Sequence, residues 1–320
     1  MIYMIFFIIS FGLTYMVRLF AIKKSLLAIP GERSSHTIAT PYGGGIAIAI
    51  TWIMGLWYLY MSNYIDHNLF LSLMIGIPIF ITGYIDDLYK LSPKIRIVIQ
   101  SLAAIGGLYI LGGLSEVNLV FYQITNPFIV NSFAFLMILW FINLYNFMDG
   151  IDGYAGSEAI FLSISGLFIF GGEHFIVLIV SVLGFLVWNW HKAKIFMGDA
   201  GSTLLGYVIA IYTIYYANQE SNNLWIWIIL FGLFWFDATV TLFRRYQEGE
   251  KLSQGHRKHS YQRLTQVGWS HSKVVIASIV INLLLLCLVY FVPNITIALL
   301  LALLLLYTVT KLIDKQKKFS

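Results

Sequence analysis

The chain has 320 residues, 59% of them apolar and 11% charged, with a formal charge of +5 and a mean hydropathy of +0.80. A soluble domain is about 45–50% apolar and about 25% charged, so a disordered chain, a secreted disulfide scaffold and an ordinary soluble enzyme are excluded. What remains is a polytopic membrane protein, an all-α helical bundle whose 24 Phe, 20 Tyr and 9 Trp suit lipid contact and interfacial anchoring. The single Cys287 lies inside an apolar run and offers neither a disulfide nor a thiolate metal cluster.

In chain order, about eleven apolar stretches are long enough to be read as transmembrane helices. They cover roughly 2–19, 43–62, 68–85, 95–112, 127–145, 157–171, 174–190, 203–218, 224–243, 273–292 and 294–312. The first has no basic region before it, and Arg18, Lys23 and Lys24 follow it, so an entering helix with its N-terminus outside fits better than a cleaved signal. All 20 Lys and Arg then fall in or beside the inner segments 18–42, 86–96, 146–158, 191–202, 244–273 and the tail from Lys311. The outer connections hold no basic residue and four acids, Asp66, Glu116, Glu173 and Glu220. With the other 11 acids inside, the balance is +9 on the inner face and −4 on the outer, a sorting that the positive-inside rule predicts. The C-terminus is therefore expected on the cytoplasmic side. A single catalytic domain, 1–320, is expected, with cytoplasmic loops at about 20–42, 86–94, 146–156, 191–202 and 244–272.

Charge is scarce, so the inner acids carry information. Asp86 and Asp87 close the third stretch, with Lys90, Lys94 and Arg96 just beyond. Adjacent carboxylates can bind a divalent ion or share a proton. On a regular helix they point about 100° apart, so both facing one ligand requires a frayed end. Asn143, Asn146 and Asp149 follow at i, i+3, i+6 and place amide and carboxylate oxygens on one stripe, suited to Mg²⁺ or Mn²⁺ rather than zinc. Asp149-Gly150 and Asp152-Gly153 then permit a sharp turn. Met197-Gly198-Asp199-Ala200-Gly201-Ser202 opens the eighth stretch, as an anion site, a metal site or an N-cap. Asp237 lies in the ninth stretch seven residues before Arg244, and a pair along that helix is one reading. The longest inner loop carries His256, Arg257, Lys258 and His259, a cluster suited to a pyrophosphate. Zinc is poorly supported, with few His, no cytoplasmic Cys and no HExxH. The first inner loop holds Arg33-Ser34-Ser35-His36, then Pro41-Tyr42-Gly43-Gly44-Gly45, where glycines serve either phosphate approach or tight packing.

These segments, in this order, resemble the polyprenyl-phosphate N-acetylhexosamine-1-phosphate transferases, from about Arg33 to Arg263. The resemblance implies Asp86 and Asp87 as catalytic and Asn146 and Asp199 as ligands of Mg²⁺ (or Mn²⁺). It implies His256, Arg257 and His259 on the donor's phosphates, with Asn143, Asp149, Asp152 and Lys94 as further substrate-binding residues. The muramyl-pentapeptide branch has three consecutive His in the late loop, where this chain reads His256-Arg257-Lys258-His259. Arg33 to His36 with Pro41 looks like the bacterial O-antigen and capsule-initiating branch, in which a basic residue often stands at the place of Tyr42. The implied donor is a UDP-N-acetylhexosamine or a 6-deoxy relative, and the implied acceptor is polyprenyl (undecaprenyl) phosphate. Membrane lipid surrounds the bundle, no nucleic acid is involved, and a homodimer stays open. The competing class is a transporter or flippase, whose sites normally lie near the midplane between repeated halves. Here the acids hug one face and no halves repeat.

Overall fold

The computed structural model of the chain describes residues 1–29, 38–119, 122–252 and 254–319, and Arg33, Ser34, Ser35 and His36 lie outside them. Helix α1 (Ile2–Lys23) leads to the short strands β1 (Leu27–Ala28) and β2 (Thr40–Pro41), then to α2 (Gly45–Met61), α3 (His67–Met74), α4 (Ile77–Tyr89) and α5 (Pro93–Ile110). A second pair, β3 (Val117–Asn118) and β4 (Gln123–Ile124), precedes α6 (Pro127–Phe147), α7 (Tyr154–Phe170), α8 (Glu173–Asn189) and α9 (Asp199–Ala217). The last part is α10 (Asn223–Leu230), α11 (Gly232–Gln247), α12 (Ser260–Gln266), α13 (His271–Phe291) and α14 (Ile295–Gln316). The all-α expectation holds. Among the described residues sheet is confined to two antiparallel pairs, with Leu27 opposite Pro41 and Val117 opposite Ile124.

Every apolar stretch of the sequence is helical. By length and composition, six helices among the described residues can cross a membrane, or seven if α10 and α11 form one span. The apolar helices α2, α7 and α8 have 17 residues each, short of the roughly 20 that a perpendicular crossing needs. Helix α5 begins with Lys94, Arg96 and Gln100 in its first half.

Two expected spans are interrupted. Residues 68–85 stay within one membrane-length span, His67–Tyr89, with a turn at Ile75-Gly76, and Pro78 sits in the first turn of α4, where a missing N–H is tolerated. The carbonyl of Ser72, at the end of α3, is taken by the Tyr207 hydroxyl at 2.8 Å. Residues 224–243 bend by 70° between α10 and α11. There the Trp235 indole N–H reaches back to the Ile228 carbonyl at 2.7 Å, an insertion of the kind that kinks helices. By contrast, 157–171 and 174–190 are separate helices, divided by Gly171 and Gly172 with φ of +73° and +104°.

Helix α9 is the centre of the bundle. Every residue from Ala200 to Ile214 is buried, and α2, α4 and α6 pack against it. Apolar attraction is weak between helices in lipid, so close backbone approach at small residues supplies the contact. A Cβ on Gly45 would lie 2.3 Å from the Gly201 nitrogen, one on Gly83 2.6 Å from the Asp199 carbonyl oxygen, and one on Gly206 2.6 Å from the Phe141 carbonyl oxygen. These contacts bring the start of α2 and the ends of α4 and α6 to the start of α9. At the far end, Asn218 accepts from Ser115 N–H at 2.9 Å, and Trp225 donates to the Asn118 carbonyl at 2.6 Å. Gly83→Ala forces α4 away from a neighbouring backbone that cannot yield. We expect it to cost about 1–3 kcal/mol, read as a lowered thermal unfolding midpoint of the detergent-purified protein, whereas Gly12→Ala, with nothing within 4 Å of its Cβ, leaves the midpoint near wild type.

Candidate active site

The two adjacent aspartates at the end of α4 do different things. The helix stops at Lys90, whose φ of 51° is left-handed and whose N–H bonds the Asp86 carbonyl at 2.9 Å. The buried Asp86 carboxylate turns toward α5, accepting from Leu91 N–H at 2.5 Å and from the Arg96 guanidinium at 2.9 Å. Asp87 turns toward α9 and accepts from the N–H groups of Asp199 at 3.0 Å and Ala200 at 3.4 Å. Those are N–H groups that the helix itself cannot satisfy, and a carboxylate there complements the helix dipole. A Cβ on Gly198, whose φ is +80°, would sit 2.5 Å from an Asp87 oxygen, so only glycine fits between them.

Asn146 meets the same point from α6. Its amide N–H₂ donates to Asp199 at 2.8 Å and to the Ser202 hydroxyl at 2.9 Å. Arg96 also reaches Asp199, at 3.5 Å. Asn143 lies one turn deeper, where its amide donates to the Gln100 side chain at 2.9 Å and the Leu139 carbonyl at 2.8 Å. It joins α6 to α5 instead of facing the site. Lys94 is exposed on the first turn of α5. Two residues on, about 200° around the helix, Arg96 makes the inward contacts.

Asp87, Asn146, Asp149 and Asp199 line one cavity of about 630 Å³, together with Tyr42, Lys90, Gly150, Asn189, Phe196 and Gln262. Burial, reinforced by the neighbouring charges of Asp199 and Asp87, pushes the Asp149 carboxyl up to about 8. Carboxylates crowded in this way, with an amide beside them, are a hard oxygen donor set that suits Mg²⁺ or Mn²⁺. Asn146 and Asp199 are adjacent, and Asn146 would have to turn its amide oxygen toward Asp199 for both to hold one ion. Asp152 lies elsewhere. Its buried carboxylate pairs with His191 at 2.8 Å and His271 at 3.1 Å, beside a separate cavity of about 330 Å³.

The late loop is docked on the cavity wall by its neighbours. Both Asp237 oxygens accept from Ser260 N–H at 3.0 Å and so cap α12, which replaces the expected pair with Arg244. Arg244 instead holds Asp314 of α14 through two bonds of 3.0 Å, and Arg263 joins the same carboxylate at 2.7 Å. Buried Arg245 holds Glu250 at 2.6 Å and the carbonyls of Lys251 and Gln254. The Tyr261 hydroxyl donates to the Phe147 carbonyl at 3.0 Å.

Within the loop, burial holds both imidazoles neutral. His256 is lowered to about 3, with help from His259 and Arg245, and His259 also to about 3, with help from Arg245. Lys258 is held by Glu248 and Glu250. Just beyond His256, Arg257 and His259 in the chain, α12 contributes Gln262 to the cavity lining. Arg96 and Gln262 were missed in the sequence. Arg96 reads there as one more inner-face cation, and Gln262 has no motif around it, although helix period alone distinguishes Arg96 from Lys94.

An apolar bundle whose helix ends converge on a polar, carboxylate-lined cavity defines an integral-membrane enzyme site for charged substrates. The chain matches the model of glycosyl transferase family 4 over residues 69–217, which includes both aspartates of α4 and the start of α9. It is 33% identical to a probable undecaprenyl-phosphate N-acetylglucosaminyl 1-phosphate transferase of Bacillus subtilis (strain 168), over 82% of this chain and 76% of that one. Undecaprenyl-phosphate alpha-N-acetylglucosaminyl 1-phosphate transferases of Thermotoga maritima, at 35% over 62% of this chain and 60% of the relative, and of Escherichia coli (strain K12), at 29% over 80% and 73%, are also similar. The chain belongs to glycosyl transferase family 4, the polyprenyl-phosphate N-acetylhexosamine-1-phosphate transferases.

The raised Asp149 has a consequence for stability. The folded state holds this proton more tightly than the unfolded chain, whose carboxyl titrates near 4. Its contribution to stability is therefore full below about 4 and is lost as pH rises to about 8. In chelator, Asp149→Asn should flatten the fall in thermal midpoint across that window, and added Mg²⁺ should flatten it for the wild type. Parallel midpoint curves for wild type and variant in chelator would refute the assignment.

Proposed function

We propose that this protein transfers an N-acetylhexosamine 1-phosphate from a UDP-sugar to undecaprenyl phosphate, releasing UMP and starting a lipid-linked cell-surface glycan. The observation that carries the reading is the convergence of Asp87, Asn146, Asp149 and Asp199 on one cavity at a single end of the bundle. The relatives' names supply the acceptor and make N-acetylglucosamine the first donor to test, with 6-deoxy sugars next. The same reading runs the chain across a bacterial inner membrane eleven times, N-terminus outside and C-terminus inside. The charge sorting supports that topology, whereas length and composition alone give six or seven crossings among the described residues.

The two substrates are both anionic, so their approach needs positive charge and fixed orientation. Arg257 and Lys90 supply the charge toward the donor's pyrophosphate. Asp87, fixed by the N–H groups of α9, orients the lipid phosphate and takes its proton. The lipid phosphate oxygen then attacks the sugar-linked phosphorus in line, a new P–O bond forms, and the bond to UMP breaks. Mg²⁺ on Asn146 and Asp199 would neutralise charge on the phosphates during this exchange. Asp86 acts differently in this scheme, as a positioning residue that ties α4 to Arg96. One pyrophosphate bond replaces another, so the reaction is near-thermoneutral and reversible.

Asp87→Asn and Asp199→Asn should each lower UMP release in membranes by about 10²–10⁴-fold with folded protein retained. Exchange of labelled UMP into the UDP-sugar should require both Mg²⁺ and added lipid phosphate. Near-normal turnover in either variant would sink its assigned role, and exchange independent of lipid phosphate would sink the reaction.

A further inference from the structure

Apart from the carboxylate cavity, the described residues contain one cluster of His and acid side chains whose ligand atoms all face one another. Asp152, His191 and His271 each place such an atom within 4.8 Å of the other two. They come from three places: the connection between α6 and α7, the connection between α8 and α9, and the first residue of α13. The Asp152 oxygen lies 2.8 Å from His191 Nδ1 and 3.1 Å from His271 Nδ1, and Ala193 N–H fixes it at 3.2 Å. The Asp152 backbone N–H also points at His271 Nδ1, at 3.3 Å, so two imidazole nitrogens and a carboxylate oxygen from three separate segments converge on one point.

We propose that Asp152, His191 and His271 bind a divalent transition-metal ion, with Zn²⁺ the ion to test first. Two imidazole nitrogens and one carboxylate oxygen are a borderline donor set that favours zinc over magnesium. Bond lengths of about 2.0–2.2 Å put ligand atoms slightly farther apart than these, so a shift of a few tenths of an ångström opens the site. Asp152 and His271 are buried, whereas His191 is exposed. The adjoining cavity of about 330 Å³ leaves room for water as the remaining ligand. A bound ion would clip three chain segments together behind the carboxylate cavity. Asn189, two residues before His191, lines that cavity and accepts from Gly153 N–H at 2.9 Å. The clip thus holds a wall of the reaction site without entering it. The proposal does not depend on the transferase reading.

The test uses the full chain, purified in detergent without a histidine tag or chelator, with zinc measured by mass spectrometry and unfolding followed by heating. Wild type should retain about one zinc per chain. EDTA should lower the unfolding midpoint, and Zn²⁺ but not Mg²⁺ should restore it. His191→Ala and His271→Ala should each lose most of the zinc, and His191→Cys, which keeps a ligand, should retain it. Asp199→Asn should keep its zinc, which separates this site from the carboxylate cavity. Should the buried His271→Ala fail to fold, the exposed His191 pair of variants decides. Wild type that holds no zinc and shows no zinc-specific shift overturns the proposal. So does equal zinc in wild type and His191→Ala.

Discussion

The structure depends on how the start of α9 is satisfied. A helix that begins at a crowded bundle end presents N–H groups that its own carbonyls cannot satisfy. Asp87 accepts two of them from α4, and Gly83 lets α4 come close enough to do so. The contact fixes the distance between a carboxylate on one helix and the Asp199 carboxylate on another. Packing and chemistry are thus the same interaction. Glycines at Gly45, Gly201 and Gly206 extend the arrangement by bringing α2 and α6 equally close.

Like charges gathered at such a point oppose one another, and the surroundings offset this unevenly. Arg96 binds Asp86 and reaches Asp199. Asn146 gives Asp199 an amide donor. Asp149 is left to burial and its neighbours, which is why its proton is held so tightly. A site with a deficit of positive charge suits a cation, the place at which Mg²⁺ is proposed to act. The late loop contributes less charge than its sequence suggests, because its imidazoles are neutral and Lys258 is held by two glutamates.

Much of the site was legible in the sequence. Asn146 and Asp149 share a helical stripe, and Asp199 opens a helix after a glycine; local spacing encodes both facts. The division of labour between Asp86 and Asp87 was not legible, since it is set by Arg96 on the next helix and by the backbone of α9. Asn143 looked equivalent to Asn146 by period, but Gln100 across the α5 contact takes its amide. His191 and His271 had no spacing to announce them, being brought to Asp152 only by the packing of three connections. The breaks at Ile75-Gly76 and Phe231 were hidden for another reason. Hydropathy reports how apolar a stretch is and not whether its hydrogen-bond ladder is continuous.

The attachment of α14 has a mechanical consequence. This helix faces outward along most of its length, with only 22% of its most apolar window buried. Its last turn nevertheless holds Asp314, which grips Arg244 and Arg263, while Phe319 just beyond lies under the cations of Arg244, Lys258 and Arg263. A lipid-facing helix adjusts its tilt to the thickness of the surrounding bilayer. Any such tilt moves Asp314, and with it the base of the loop that carries Arg257. A change in bilayer thickness that tilts α14 would therefore be felt at that loop through Asp314 and Phe319 together.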